Sequence, residues 1–359
     1  MSALLDHLQT FIAFRTVGND SATKAACLDW IETTFLSSSG LELVRGDVQG
    51  ASYVFLRHPK PKMLWFGHTD VVPGSDDQFT LTSRDGRAYG RGVKDMKGAD
   101  LTFLIAYKEA CDRGAVPPVS VLLTSDEETG GHTPGELLDA GTLGVIPVAF
   151  TPDTGDTDAI VTEMKGALWV RVVATGKSGH AAMPWKSENP VPVLMEAVAA
   201  LQKKFPQPSG DAWGVTLTPT LLSGSDARNR IPDEASCTVD VRFPPTVCKT
   251  PGEMFSLLQK LVPAGCRLEI VESADPMFCD PAHPLVRQIK AVADAVTGSS
   301  IPIGRDYGSS DARFFTARGI PAFLYGPVGG DLHGAKEWVS VKSLEEHVEI
   351  NRRLFKELS

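Results

Sequence analysis

The sequence predicts an α/β protein built on a mostly parallel sheet with helices on both faces, interrupted by a smaller α+β domain. Three observations carry that prediction. Short apolar runs bounded by turn residues recur at Met63–Phe66, Val116–Ser125, Val145–Phe150 and Ala322–Tyr325, the pattern of strands buried on both faces. Stretches of helical spacing alternate with them, as in βαβ units. Between Ala167 and about Ala274 the texture changes to half-buried alternation. There the element order reads β-α-β-β-α-β, a split βαβ (ferredoxin-like) arrangement.

In chain order, Leu4, Leu5, Leu8, Phe11 and Ile12 form a helical stripe within residues 1–14, and Ser21–Phe35 carries Leu28, Ile31 and Phe35 on one face. Two strands follow, at Leu41–Arg45 and Ser52–Leu56. After the Met63–Phe66 run, residues 74–91 are polar and turn-rich, and Lys97–Cys111 is helical. The inserted segment places strands at Ala167–Ala174, Gly214–Leu222, Ala235–Phe243 and Cys266–Val271, with helices at Pro190–Phe205 and Pro251–Val262. Helices at Pro284–Val296 and Leu344–Leu358 resume the first domain. The expected division is 1–166, an insertion at 167–274, and 275–359. At 359 residues the chain is long for a single core, which agrees with two domains.

Composition narrows the partners. A formal charge of −9 argues against nucleic acid, which favours a basic face. No apolar run reaches membrane-spanning length, and the first residues lack the basic start and cleavage site of a signal peptide. Six cysteines without a CxxC pair read as reduced thiols of a cytoplasmic protein. No GxGxxG follows the early strands, which speaks against a two-domain dehydrogenase.

The chemistry starts at MLWFGHTDVVP, residues 63–73. Gly67 ends the apolar run, and His68 and Asp70, two apart, point to one side of an extended backbone. Open α/β sheets place their sites at such strand ends. Asp95 lies in GRGVKDMKG, Glu127 and Glu128 in SDEETGG, Asp153 after the third buried run, and His333 in GGDLHGAKEW. Each has an ordinary reading taken alone: Asp95 a helix cap, the two glutamates a solvated pair, Asp153 an Asx turn, His333 a loop residue. Together they are acidic or imidazole groups following three separate buried strands, whose ends a parallel sheet delivers to one edge. Such carboxylates repel unless a cation sits among them, and only Lys94 and Lys97 are basic nearby. A divalent metal resolves this. Imidazole and carboxylate suit zinc, with cobalt or manganese as alternatives.

In this order GHTDVVP, GRGVKDMKG, TSDEETGG and LHGAKE resemble the M20 family of metallopeptidases and deacylases. That is the group of succinyl-diaminopimelate desuccinylase, acetylornithine deacetylase, aminoacylase and carboxypeptidase G. The resemblance covers nearly the whole chain and implies a catalytic α/β domain with an inserted lid or dimerisation domain. It implies two divalent cations, with His68 and Asp153 on the first, Glu128 and His333 on the second, and Asp95 bridging. It also implies a cis peptide at Asp95-Met96, Asp70 holding the other ring nitrogen of His68, and Glu127 as general base toward a metal-activated water. His180, in GKSGHAAMP, would reach a partner subunit's site and stabilise the oxyanion. Asn229 and Arg242 resemble substrate contacts, as do Ser309, Ser310 and Arg313 in GSSDARF. Arg242 suits a grip on a substrate carboxylate, or equally a salt bridge at a strand edge, and Arg313 could equally be structural. The family's deacylases commonly carry Glu followed by Pro where this chain has Pro152-Asp153, and the Asp form looks more like the dipeptidase branches.

The expected function is a cytoplasmic, homodimeric di-metal hydrolase cleaving the amide of an N-acyl amino acid or small peptide with a free carboxylate. A metallo-dipeptidase or carboxypeptidase is the alternative within that class. A catalytically inactive binding or dimerisation relative is the alternative outside it, disfavoured because every ligand position and the base are filled.

Overall fold

The computed structural model describes residues 3–359. The chain divides into two units. One comprises the chain up to Thr162 together with Phe278–Ser359, the other Glu163–Met277. The expected insertion at 167–274 lies inside the second.

The first unit is built on a sheet whose neighbouring strands run Glu42–Val48, Ala51–Arg57, Val119–Thr124, Met63–His68, Ala149–Thr151, Ala322–Leu324, Ile160–Met164. The four strands from Val119–Thr124 to Ala322–Leu324 are parallel, and their flanking neighbours are antiparallel. Every residue of Met63–His68 and Val119–Thr124 is buried, as their unbroken apolar character requires. Successive side chains of a strand face opposite sides. Trp65 stacks on Phe103 of the helix Lys97–Asp112 with ring centroids 4.1 Å apart, while Phe66 meets Phe315 of the helix Ala312–Thr316 at 4.7 Å. Helices therefore cover both faces, and the core lies on either side of the parallel strands.

Four adjacent parallel strands deliver four loops to one edge. These begin at Thr69, Ser125, Pro152 and Tyr325. Gly67 permits close packing there, since a Cβ on it would collide with the carboxylate of Asp100.

The structure differs from the sequence expectation in several elements. The third buried run forms a strand only at Ala149–Thr151; Val145 is 82% exposed, because Gly141, Gly144 and Pro147 turn the chain before it. The second begins at Val119, after Pro117 and Pro118, which lack the N–H a ladder needs. The helix from Ser21 ends its α-helical part at Ile31 and continues as a π turn to Leu36. The first helix spans Ala3–Ala13; the expectation for residues 1 and 2 lies outside the described residues. The turn-rich stretch contributes Thr82–Arg84 and Arg87–Tyr89 to a small antiparallel sheet with Trp338–Ser340 and Gly329–Gly330.

The second unit contains, in order, Gly166–Thr175, the helix Pro190–Lys204, Thr216–Ser223, Glu234–Phe243, the helix Pro251–Gln259 and Cys266–Ala274. Its sheet runs Thr216–Ser223, Glu234–Phe243, Gly166–Thr175, Cys266–Ala274, antiparallel throughout. Both helices pack on one face, where Leu194, Leu201, Met254 and Leu258 meet Leu168, Val170 and Val172. The other face carries half-exposed ion pairs: Arg171 with Glu234 and Glu269, and Arg267 with the same two glutamates. All six cysteines are free, and no helix among the described residues is long and apolar enough to cross a membrane.

Candidate metal centre

The site is assembled from the strand ends inward. His68 terminates its strand and is buried. Its Nδ1 lies 3.1 Å from the backbone carbonyl of Asp70 and 3.4 Å from that residue's Oδ1. A proton on Nδ1 held there fixes the tautomer and turns the Nε2 lone pair outward. Nε2 lies 3.2 Å from Asp95 Oδ1. The other oxygen of Asp95 lies 3.1 Å from His333 Nε2, which in turn is 3.2 Å from Glu128 Oε2. Asp95 thus presents one oxygen to each imidazole. It precedes a cis peptide to Met96.

Two groups result. His68, Asp95 and Asp153 can place one ligand atom each within 4.8 Å of one another, and so can Asp95, Glu128 and His333. They share Asp95. The donor set fits two divalent cations on chemical grounds. An Nε2 lone pair facing a carboxylate oxygen is repulsive unless a proton or a cation lies between. Oε1 of Glu128 is buried and finds no hydrogen-bond partner among the described residues. Nitrogen and oxygen ligands of this kind suit zinc, cobalt or manganese.

Without cations, protons must do the balancing. Hydrogen bonds to Asp95 and Glu128 push the His333 imidazole up to about 10. Burial opposes ionisation of His68, yet Asp70 and Asp95 hold it well above its ordinary value. Burial also opposes ionisation of Asp95, and the bonds with His333 and His68 outweigh it. Burial, reinforced by Asp95, pushes Asp153 up to about 6. Burial pushes Glu127 well above the carboxylate range, with His68 acting against the shift and Asp153, Asp311 and Asp95 adding to it. A cation competes with these protons, so binding at neutral pH is expected to release protons from the imidazoles. Apparent affinity should rise with pH until His333 is deprotonated near 10. Calorimetric cobalt titrations in two buffers of different ionisation enthalpy check this; equal heats in both would refute it.

Local structure fixes several side chains. Asp70 turns Oδ2 to the backbone N–H of Glu128 at 3.1 Å, tying the first loop to the second. Ser310 is buried and hydrogen-bonds the Asp153 carboxylate, so its hydroxyl is already committed. Arg313 donates to the carbonyl of Gly130 at 3.0 Å and to Ser309 Oγ at 3.4 Å, and its guanidinium lies 3.7 Å from Asp311. It holds the turn after Glu128. Gly131 is required there, with φ +58° and no room for a Cβ beside the Asp311 carboxylate.

The remaining expected residues lie in the second unit. His180 is exposed on a two-residue strand paired with Arg230-Ile231, and its Nδ1 accepts from the Ala182 N–H at 3.1 Å. Asn229 adjoins that pair, its carbonyl accepting from Ala181 N–H at 2.9 Å. Arg242 is held by Asp240 at 2.7 and 3.1 Å and lies over the Trp169 ring at 4.5 Å. A substrate carboxylate would have to displace Asp240 from it.

Sequence reasoning passed over Glu337, Asp311 and Asp100. Glu337 is buried and accepts three backbone N–H groups from the loop carrying Asp95. Its signal was its position four residues after His333. Asp311 is buried beside Gly131 and close enough to act on the Glu127 carboxyl, and burial pushes it up to about 8. Asp100 is wholly buried under Gly67, and burial drives its carboxyl well above the usual range.

Known proteins of this architecture carry the comparison. Succinyl-diaminopimelate desuccinylase of Bordetella petrii is 30% identical over 336 residues, covering 88% of this chain and 87% of the relative. The fold is that of aminopeptidase PepT from Bacillus cereus, with a TM-score of 0.81 at 17% identity over 99% of this chain and 98% of that one. It is also that of the M20 family metallo-carboxypeptidase Sso-CP2 from Sulfolobus solfataricus, at 0.78 and 19% over 100% and 99%. With residues 64–357 matching the model of peptidase family M20/M25/M40, the chain belongs to that family of hydrolases.

Proposed function

We propose that the chain is a di-metal hydrolase that cleaves the amide bond of an N-acyl amino acid carrying a free carboxylate. The observation that carries this reading is the meeting of two ligand groups at Asp95 with the buried carboxyl of Glu127 beside them. His68 and Asp153 hold the first cation, Glu128 and His333 the second, and Asp95 bridges. Zinc suits the set, with cobalt or manganese as alternatives. Bound there, the cations lower the pKa of a water toward neutrality and polarise the scissile carbonyl.

The chain's own residues do the rest. Glu127 belongs to neither ligand group, so its carboxylate is left to take the proton of the attacking water and return it to the leaving amine. Asp70 orients both sides: it fixes the His68 ring, and through the Glu128 N–H it sets the turn from which Glu127 projects. His180 of one copy would donate to the oxyanion in its partner's site, its Nδ1 being engaged by the backbone and its Nε2 left available. Asn229, Arg242 and Ser309 are the substrate contacts of this reading. Ser310 and Arg313 instead hold Asp153 and the Gly130 turn, as their hydrogen bonds indicate.

Similarity to desuccinylases favours N-acyl amino acids. A metallo-dipeptidase or carboxypeptidase is the second reading, favoured by the resemblance of Pro152-Asp153 to the family's dipeptidase branches. A screen of N-succinyl and N-acetyl amino acids against dipeptides, with zinc, cobalt or manganese added, separates the two. Turnover confined to the acylated amino acids supports the first; turnover confined to peptides overturns it.

Two copies pairing through the second unit complete the proposal. Thr216–Ser223 is an edge strand without a charged residue, and Leu221 and Leu222 on it are 68% and 80% exposed. Met195, on the neighbouring helix, is 66% exposed across a groove of about 740 Å³. Exposed apolar patches of this kind recruit partners. The chain is expected to sediment as a dimer, and a Leu221→Asp, Leu222→Asp variant as a monomer. A monomeric unaltered chain would overturn this part.

A further inference from the structure

The two ligand groups are not built alike. His68 closes a buried strand, and Asp153 follows directly on the neighbouring parallel strand. Asp95, Glu128 and His333 all come from loops and a single 3₁₀ turn, and the His333 side chain is 53% exposed. Something must hold the loops of Asp95 and His333 in register.

One buried ion pair meets that requirement. Arg91 and Glu337 face each other at 2.8 Å, with side chains 3% and 1% exposed. Glu337 Oε2 also accepts the Gly92 N–H at 3.0 Å, and Oε1 accepts the N–H groups of Lys94 and Asp95 at 2.9 and 3.2 Å. Arg91 turns its other terminal nitrogen to the carbonyls of His333, Gly334 and Pro73 at 3.1, 3.2 and 3.3 Å. The carboxylate thus grips the loop of the bridging Asp95, and the guanidinium grips the loops of His333 and of Asp70. None of these seven hydrogen bonds touches a ligand side chain. One joins the two side chains; of the other six, five act on backbone within three residues of a ligand, and the sixth acts on Pro73, five residues after His68. A buried pair tied in on both sides is costly to break from one side, because the survivor keeps an uncompensated charge.

We infer that Arg91 and Glu337 are positioning residues that set the affinity of the second cation position, Asp95–Glu128–His333, more than that of the first, which shares Asp95 but takes His68 and Asp153 from strand ends. The inference depends on the two-cation reading above. In Glu337→Gln an amide NH₂ must face either the Gly92 N–H and Arg91 or the N–H groups of Lys94 and Asp95, so one side of the grip is lost. Arg91→Lys keeps a cation beside Glu337 but loses the planar fork that reaches three carbonyls.

The test is titration of the cation-free full chain with cobalt(II), followed by calorimetry and by visible absorption. The unaltered chain should take up two equivalents. In both variants the second dissociation constant is expected to rise by roughly ten- to a hundredfold, the range for loss of groups that orient metal ligands, with the first within about threefold. Lys342→Ala, at an exposed position, should change neither. Equal weakening of both steps would mark a general structural role and overturn the inference, as would two unchanged steps. Should Glu337→Gln not fold, Arg91→Lys decides alone. Uptake of fewer than two equivalents by the unaltered chain would instead overturn the two-cation reading, so the two failures are distinguishable.

Discussion

Glu127→Gln is expected to lower kcat by about a thousandfold, the middle of the range for losing a positioned general base, while the protein still binds its cations. The reasoning is local. Glu127 sits on the turn that presents Glu128, yet only Glu128 enters a ligand group. Adjacent side chains diverge, so one carboxylate can ligate while the other serves the water. Burial pushes the Glu127 carboxyl well above the usual carboxylate range in the cation-free chain, with His68 the opposing influence and Asp153, Asp311 and Asp95 adding to the shift. Cations held by Asp95 and Asp153 would offset those negative charges and favour the ionised form a base requires. The amide of Gln keeps the volume and a hydrogen bond but accepts no proton. Metal content by mass spectrometry beside steady-state kinetics checks the claim. Turnover within tenfold of the unaltered chain, at equal metal content, would remove Glu127 from the mechanism.

The second large effect belongs to Asp95. Asp95→Ala takes one ligand from each group and leaves His68 and His333 facing an empty space between them. Metal content should fall from two equivalents to one or none. The lost electrostatic stabilisation is several kcal/mol, so kcat/KM should drop by roughly three powers of ten or more. A chelator applied to the unaltered chain should give the same loss, reversed by added zinc or cobalt. Asp70→Ala offers a graded comparison: both cations are expected to stay and His68 Nδ1 keeps the backbone carbonyl of residue 70, but the ring loses the carboxylate beside it and Glu128 N–H its acceptor, for a fall of about tenfold. Full activity of Asp95→Ala would exclude a bridging role.

Much of this site was legible in the chain because its strands are legible. Met63–His68 and Val119–Thr124 are apolar without interruption, so their ends could be located, and the residues at those ends followed. His333 arises far along the chain from a loop that no periodicity marks, and only its short motif pointed to it. The second unit was readable for the same reason as the strands: alternation in Gly166–Thr175 and Glu234–Phe243 is two-faced, and the helices between them are long.

What was missed has a common cause. Glu337, Asp311 and Asp100 are charged residues at buried positions, and a sequence offers an acid no sign that water is excluded from it. Asp100 falls inside a helix whose spacing was read correctly, yet it faces the strand end rather than solvent. Ser310 and Arg313 were placed in the right loop, but which partner each side chain would choose depended on Asp153 and Gly130, residues about 150 positions or more earlier. Val145 belongs to an apolar run that two glycines and a proline convert to a turn. The small sheet uses strands of two or three residues, too short for alternation to register.

All of these predictions descend from the one arrangement proposed, in which Asp95 would be shared between two divalent cations. Anomalous diffraction from crystals grown with zinc measures it directly. Two peaks roughly 3.5–4 Å apart are expected, one among His68, Asp95 and Asp153 and the other among Asp95, Glu128 and His333. A lone peak that does not touch Asp95, or zinc bound only at other side chains, would show that the carboxylates and imidazoles gathered here serve some other purpose.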